Sequence, residues 1–118
     1  MGFIDKTYLV FSLLILFSVP LVQSQEEVEW STDFRFTWAD FKGPAPINSS
    51  ASATTASGIS YNFSTSEENK ELKIEYTVGA YFYPTRSWYK AEVCNDVTLS
   101  HEQIHFDITE LYARKMRK

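Results

Sequence analysis

The chain contains only two histidines, and they stand four residues apart in Ser100-His101-Glu102-Gln103-Ile104-His105-Phe106-Asp107. On a helix this spacing places both imidazoles one turn apart on the same face, where together they can hold one zinc ion. Zinc at such a pair polarises a water, and a glutamate between the ligands takes its proton, so that the oxygen can attack a peptide carbonyl. The pattern assigns His101 and His105 as metal ligands and Glu102 as general base. Random placement of two histidines and a glutamate in this arrangement has odds of roughly one in several hundred. The bland alternative keeps all three without a metal: His101 in the first helical turn, His105 on a flank under Tyr112, and Glu102 favoured by the helix dipole. Tyr112 itself could steady an oxyanion, or simply pack at the core or rim.

These residues need a helix, and the sequence predicts one from Asp96 to the end of the chain, uninterrupted by proline or glycine. Asp96 or Thr98 can cap it. Val97, Ile104, Ile108 and Leu111 recur at helical spacing and read as the buried stripe, with the two histidines at its edge and the site half sheltered. Glu102 is expected on the cleft side, whereas Asp107, Glu110 and Arg114 fall towards the opposite face. Arg114, Lys115, Arg117 and Lys118 suit the negative end of the helix dipole.

At 118 residues, 44% apolar and 16% aromatic, the chain has the length and composition of one globular domain. Its net charge of −4 and the lack of a basic stripe argue against nucleic acid as a partner. Cys94 is the single cysteine; it excludes an intrachain disulfide and reads as a buried thiol before a metal ligand or an intermolecular bridge. Residues 1–24 read as a secretory signal: Lys6 opens it, Tyr8 to Val19 is almost wholly apolar, Pro20 breaks the run, and Val22-Gln23-Ser24 offers a cleavage site. The apolar run is shorter than the ~20 residues that span a bilayer comfortably. Cleavage is therefore expected to leave a domain of residues 25–118 without a stable membrane anchor, working outside the cell or in its periplasm or envelope.

Within that domain, Phe34, Phe36 and Trp38 alternate with polar residues as in a half-buried strand, which Gly43-Pro44-Ala45-Pro46 stops. Residues 48–57, rich in Ser, Thr and Ala, read as a surface loop. Two glycosylation triplets, at Asn48 and Asn62, are treated as incidental. Ile59, Tyr61 and Phe63 form one predicted strand, and Leu72, Ile74, Tyr76 and Val78 another. A turn over Ser64 to Asn69 would join them into a hairpin with one buried and one wet face. Tyr81 to Tyr83 extend the sheet to Pro84. The predicted fold is α+β: a small antiparallel sheet between Phe34 and Tyr83, followed by the C-terminal histidine-bearing helix packed on it.

Trp38-Ala39-Asp40-Phe41-Lys42-Gly43, the Ala/Thr-rich loop before Gly58-Ile59-Ser60-Tyr61, Ser87-Trp88, and above all His101 to Ile108 with Glu110-Leu111-Tyr112-Ala113-Arg114 resemble a bacterial family of predicted secreted zinc-dependent proteases, a domain of unknown function. The likeness covers most of residues 25–118. It implies a secreted or envelope metallopeptidase that uses zinc and acts on a peptide or protein substrate, with the two histidines as ligands and the glutamate as base. Members of that family continue past the helix with a further histidine that could complete the site, so the resemblance also implies a chain lacking its C-terminal segment. Asp107 and Glu110 face away from the pair on a continuous helix, and Cys94 reaches it only if the preceding loop folds back. The alternative function is a non-catalytic envelope module that keeps the fold and only binds a peptide or partner.

Overall fold

A computed structural model describes residues 25–118; the expected signal segment lies outside the described residues. Among the described residues, five strands and one α-helix follow in order: β1 (Val28–Glu29), β2 (Ala53–Thr54), β3 (Ser57–Glu68), β4 (Glu71–Phe82), β5 (Trp88–Tyr89) and α1 (Asp96–Met116). β1, β4 and β3 form an antiparallel sheet in that spatial order, and β2 pairs antiparallel with β5. α1 packs on β4 and β3. The fold is α+β, with small antiparallel sheets and a C-terminal helix against them.

The hairpin is longer and tighter than its sequence predicts. Glu68 pairs with Glu71, so only Asn69 and Lys70 make the turn. Both have positive φ, 52° and 65°, as a two-residue turn that matches strand twist requires. Asparagine tolerates that conformation, whereas lysine is strained in it. The expected turn residues Ser64 to Glu68 instead continue β3. The expectation of one buried face holds only at the hairpin's base. Alternation puts Ile59, Tyr61, Phe63, Leu72, Ile74, Tyr76, Val78, Ala80 and Phe82 on one face, but burial ends at Val78. Beyond it Tyr61, Phe63, Leu72, Ile74 and Tyr76 are all exposed, because α1 covers the base of the hairpin and not its outer half.

The aromatic run around Phe36 fills the core without forming the predicted strand. Phe36, Phe41, Phe82 and Phe106 are buried together with Ala80 and Ala113. The Phe36 ring stacks on Phe106 with centroids 5.5 Å apart and meets Phe82 at 4.5 Å, geometries that favour aromatic pairs. The Phe36 amide donates to Gln103 Oε1 at 2.8 Å. A helix side chain thus satisfies the backbone group that a neighbouring strand would otherwise have paired, and Trp38–Asp40 turns into a short 3-10 segment.

α1 is capped by Asn95, not by Asp96 or Thr98. The Asn95 side chain accepts from the amides of Val97 and Thr98 at 3.0 and 3.1 Å, and the Thr98 hydroxyl accepts from the Asn95 amide at 3.3 Å, a reciprocal cap. The buried face of the helix is also not the expected one. Val97, Ile104, Ile108 and Leu111 are exposed, and Glu102, Phe106, Glu110 and Ala113 face the sheet. Phe106 supplies the apolar area, and each buried carboxylate has a hydrogen-bonding partner, the condition under which burying one is tolerated. At the far end, Arg117 Nε donates to the Val78 carbonyl at 2.8 Å. It occupies a strand-edge acceptor of β4 just past the point where β1, which brings the Trp30 amide to Ala80 O at 2.9 Å, ends.

Candidate metal centre

The first turns of α1 set out the three residues singled out by the sequence. His101 and His105 lie on the exposed side, with no core packing and no shelter from the apolar stripe beside them. Their Nε2 atoms converge to 3.2 Å, and the rings stand nearly perpendicular, with centroids 4.7 Å apart and an interplanar angle of 88°. Two nitrogens bound tetrahedrally to one zinc at ordinary bond lengths are about 3.3 Å apart, so the pair has the bite of two zinc ligands. The same separation also allows a hydrogen bond between one protonated and one bare nitrogen.

Glu102 turns inward from the histidines and is 5% exposed. The Thr55 hydroxyl donates to Glu102 Oε2 at 2.5 Å. Thr55 follows β2 directly, inside the stretch whose composition reads as a surface loop. Two anchors hold that stretch. β2 pairs with β5, and the fully buried Ser87 hydroxyl bridges the next residue to β4's end, accepting from the Ala56 amide and donating to the Tyr83 carbonyl, both at 2.9 Å. Gly43 closes the same corner: its amide donates to Ser87 O at 2.7 Å, and a Cβ there would meet the carbonyls of Thr85 and Ser87 at 2.7 and 2.8 Å. Only glycine fits so close a backbone approach. Neither Thr55 nor Ser87 is marked by any spacing in the sequence, since their partners lie far away in the chain.

The other groups weighed as ligands are committed elsewhere. Asp107 Oδ1 accepts from Trp30 Nε1 and Gln103 Nε2, each at 3.0 Å. Glu110, expected to face away from the histidine pair, is buried against the sheet and bound by Arg117 Nη2 at 2.5 and 3.1 Å. The Cys94 thiol is partly buried and points to Ser52 O at 3.2 Å. Among the described residues, no group of three or more His, Cys, Asp or Glu side chains is placed to share a metal ion. Tyr112 is 53% exposed, with Lys115 Nζ 5.0 Å from its ring centre, so it does not pack in the core. No helix among the described residues is long and apolar enough to cross a membrane. No family model, no curated protein and no solved structure matches the chain.

Proposed function

We propose that this chain is a secreted or envelope zinc metallopeptidase domain that hydrolyses peptide bonds, the function implied by the histidine-glutamate motif and by the family it resembles. The observation that carries the reading is the 3.2 Å convergence of His101 Nε2 and His105 Nε2, with Glu102 in the same turns of the helix, held by Thr55 on its sheet-facing side. The donor set fits zinc as two neutral imidazoles do. When bound, zinc would supply Lewis acidity towards a water and a carbonyl oxygen. The chain's own part is to hold both imidazoles on one exposed face, open to a polypeptide, and to present Glu102 as the proton acceptor. The Thr55 hydroxyl occupies part of one carboxylate oxygen and leaves the other oxygen's lone pairs for that proton.

Metal analysis of the purified chain tests the reading. Zinc is expected at one ion per chain, and His101→Ala or His105→Ala is expected to reduce it strongly with little change in thermal stability, since both rings are exposed. Undiminished zinc in both variants removes the pair as ligands. A second reading, a peptide-binding module without catalysis, is favoured by one observation: the described residues bring no third ligating side chain to the histidines, where catalytic zinc usually has three. Hydrolysis of an unstructured protein by the zinc-loaded chain separates the two. Secretion is read out by N-terminal sequencing of exported material, which is expected to begin at or near Gln25.

A further inference from the structure

β3 is the outer strand of its sheet, and its hydrogen-bonding parity can be worked out residue by residue. Tyr83 N donates to Ala56 O, and Trp30 N to Ala80 O, both at 2.9 Å. In an antiparallel ladder a residue's N–H and C=O face the same side, and successive residues alternate. Ala56, Gly58, Ser60 and Asn62 therefore face β4, as the register requires, while Ser57, Ile59, Tyr61 and Phe63 turn their backbone groups outward. Among the described residues, no backbone hydrogen bond closes this outer edge. The same odd-numbered residues carry the side chains of the apolar face, where Tyr61 and Phe63 are 62% and 66% exposed.

The histidines stand on the side of α1 that overhangs this edge. Thr109 Oγ1 donates to the His105 carbonyl at 3.1 Å and shares a hydrogen bond with Ser57 Oγ at 2.8 Å, which ties the first outward residue of β3 to the helix turn bearing His105. Asp107, bonded to Trp30 on the β1 side, marks the other flank of the helix. From Ser57, the free edge runs away from the histidines, reaching Tyr61 after ~14 Å.

We infer that β3 is the binding edge for an extended polypeptide, which adds to it as an antiparallel strand and leads into the histidine site. Antiparallel pairing is the more stable choice, and it runs the peptide from the hairpin tip towards the histidines, so the residues that lie on Tyr61 and Phe63 precede the site. Alternate residues of the peptide fall on the apolar face. The ligand class is therefore a chain with apolar side chains at every second position, about four to six residues before the bond presented to the histidines. The tip carries Glu67, Glu68 and Glu71 against Lys70, which favours a basic residue further upstream. The inference rests on the peptidase reading only for the cleavage step, and binding can be tested alone.

The probe is a twelve-residue peptide alternating valine with threonine, lysine at its N-terminus, added to the metal-free chain. Valines opposite Ile59, Tyr61 and Phe63 must use their own amides to bond the edge. N-methylation of the valines is expected to weaken binding at least tenfold, and N-methylation of the threonines less than twofold. Amide exchange at Ile59, Tyr61 and Phe63 is expected to slow when the unmodified peptide binds. Tyr61→Pro, which removes an outward donor and no ladder bond, is expected to weaken binding similarly; should that variant fail to fold, the methylated peptides decide. Equal effects of both methylation patterns, or no protection of the three amides, overturn the inference. With zinc added, binding at the edge without cleavage overturns the peptidase reading and leaves the edge intact as a binding site.

Discussion

Two glutamates, eight residues apart on α1, are buried to the same degree: Glu102 and Glu110 are each 5% exposed. Their surroundings differ. Glu110 faces two guanidinium groups, Arg117 at 2.5 Å and Arg114 at 3.9 Å, so its charge is met by charge. Glu102 has a neutral hydroxyl from Thr55 and two imidazoles on the neighbouring helix face. Burying a carboxylate costs free energy that a partner must offset, and the kind of partner separates a strut from a reagent. A carboxylate clamped by arginine has its oxygens filled by charged donors and serves to fasten the helix end. One held by a single hydroxyl is fixed in place yet keeps acceptor capacity free.

Removing the charge at each site in turn breaks the comparison most forcefully. Glu102→Gln keeps the shape and the contact with Thr55, so zinc content is expected to stay while hydrolysis of an unstructured protein falls by about 10² or more. Zinc titration and initial rates on the same preparation check this. An active glutamine variant would strike Glu102 from the mechanism.

Glu110→Gln should do the reverse. Arg117 is 40% exposed and can turn to water once its partner is neutral, so the expected loss is about 1–2 kcal/mol in denaturant unfolding, with the hydrolysis rate per folded molecule unchanged. A variant that lost activity without losing stability would put Glu110 in the wrong class.

The helix and the β3–β4 hairpin were legible in the sequence because each has a strong period, and the histidine pair because its spacing depends on one element alone. What could not be read concerns relations between elements. Helical periodicity marks Val97, Ile104, Ile108 and Leu111 as a stripe, but only the rest of the chain decides which side of the helix meets the sheet, and here Phe106 with two partnered carboxylates meets it. The Phe34 to Trp38 alternation correctly foretells core aromatics, yet not that Gln103 would take the Phe36 amide in place of a strand. Asn95 outcompetes Asp96 and Thr98 as the cap through a pair of amide contacts, one residue before the first alternative and three before the second. The turn at Asn69-Lys70 lacks the glycine that would have announced it. Thr55 is one of several small polar residues in a row, and nothing local singles it out as the one that meets Glu102 forty-seven residues later.

The smallest expected effect tests that threonine, and it sharpens the contrast between the two glutamates. Thr55→Val is nearly isosteric, so it deletes the hydroxyl without opening space, and the buried Glu102 carboxylate loses its donor. If Thr55 positions the base, the carboxylate loses the contact that fixes its orientation, and kcat is expected to fall about tenfold with KM and zinc content little changed, because neither the metal ligands nor the peptide-binding edge is touched. Stability should fall by about 1 kcal/mol, the ordinary cost of an unmet buried acceptor. Thr55→Ser returns the hydroxyl and should recover most of the rate. A purely structural role for Thr55 predicts a different pattern, with stability lowered in Thr55→Val and the rate per folded molecule unmoved. That result would make Glu102 a second strut like Glu110, and the difference between their partners would then carry no functional meaning.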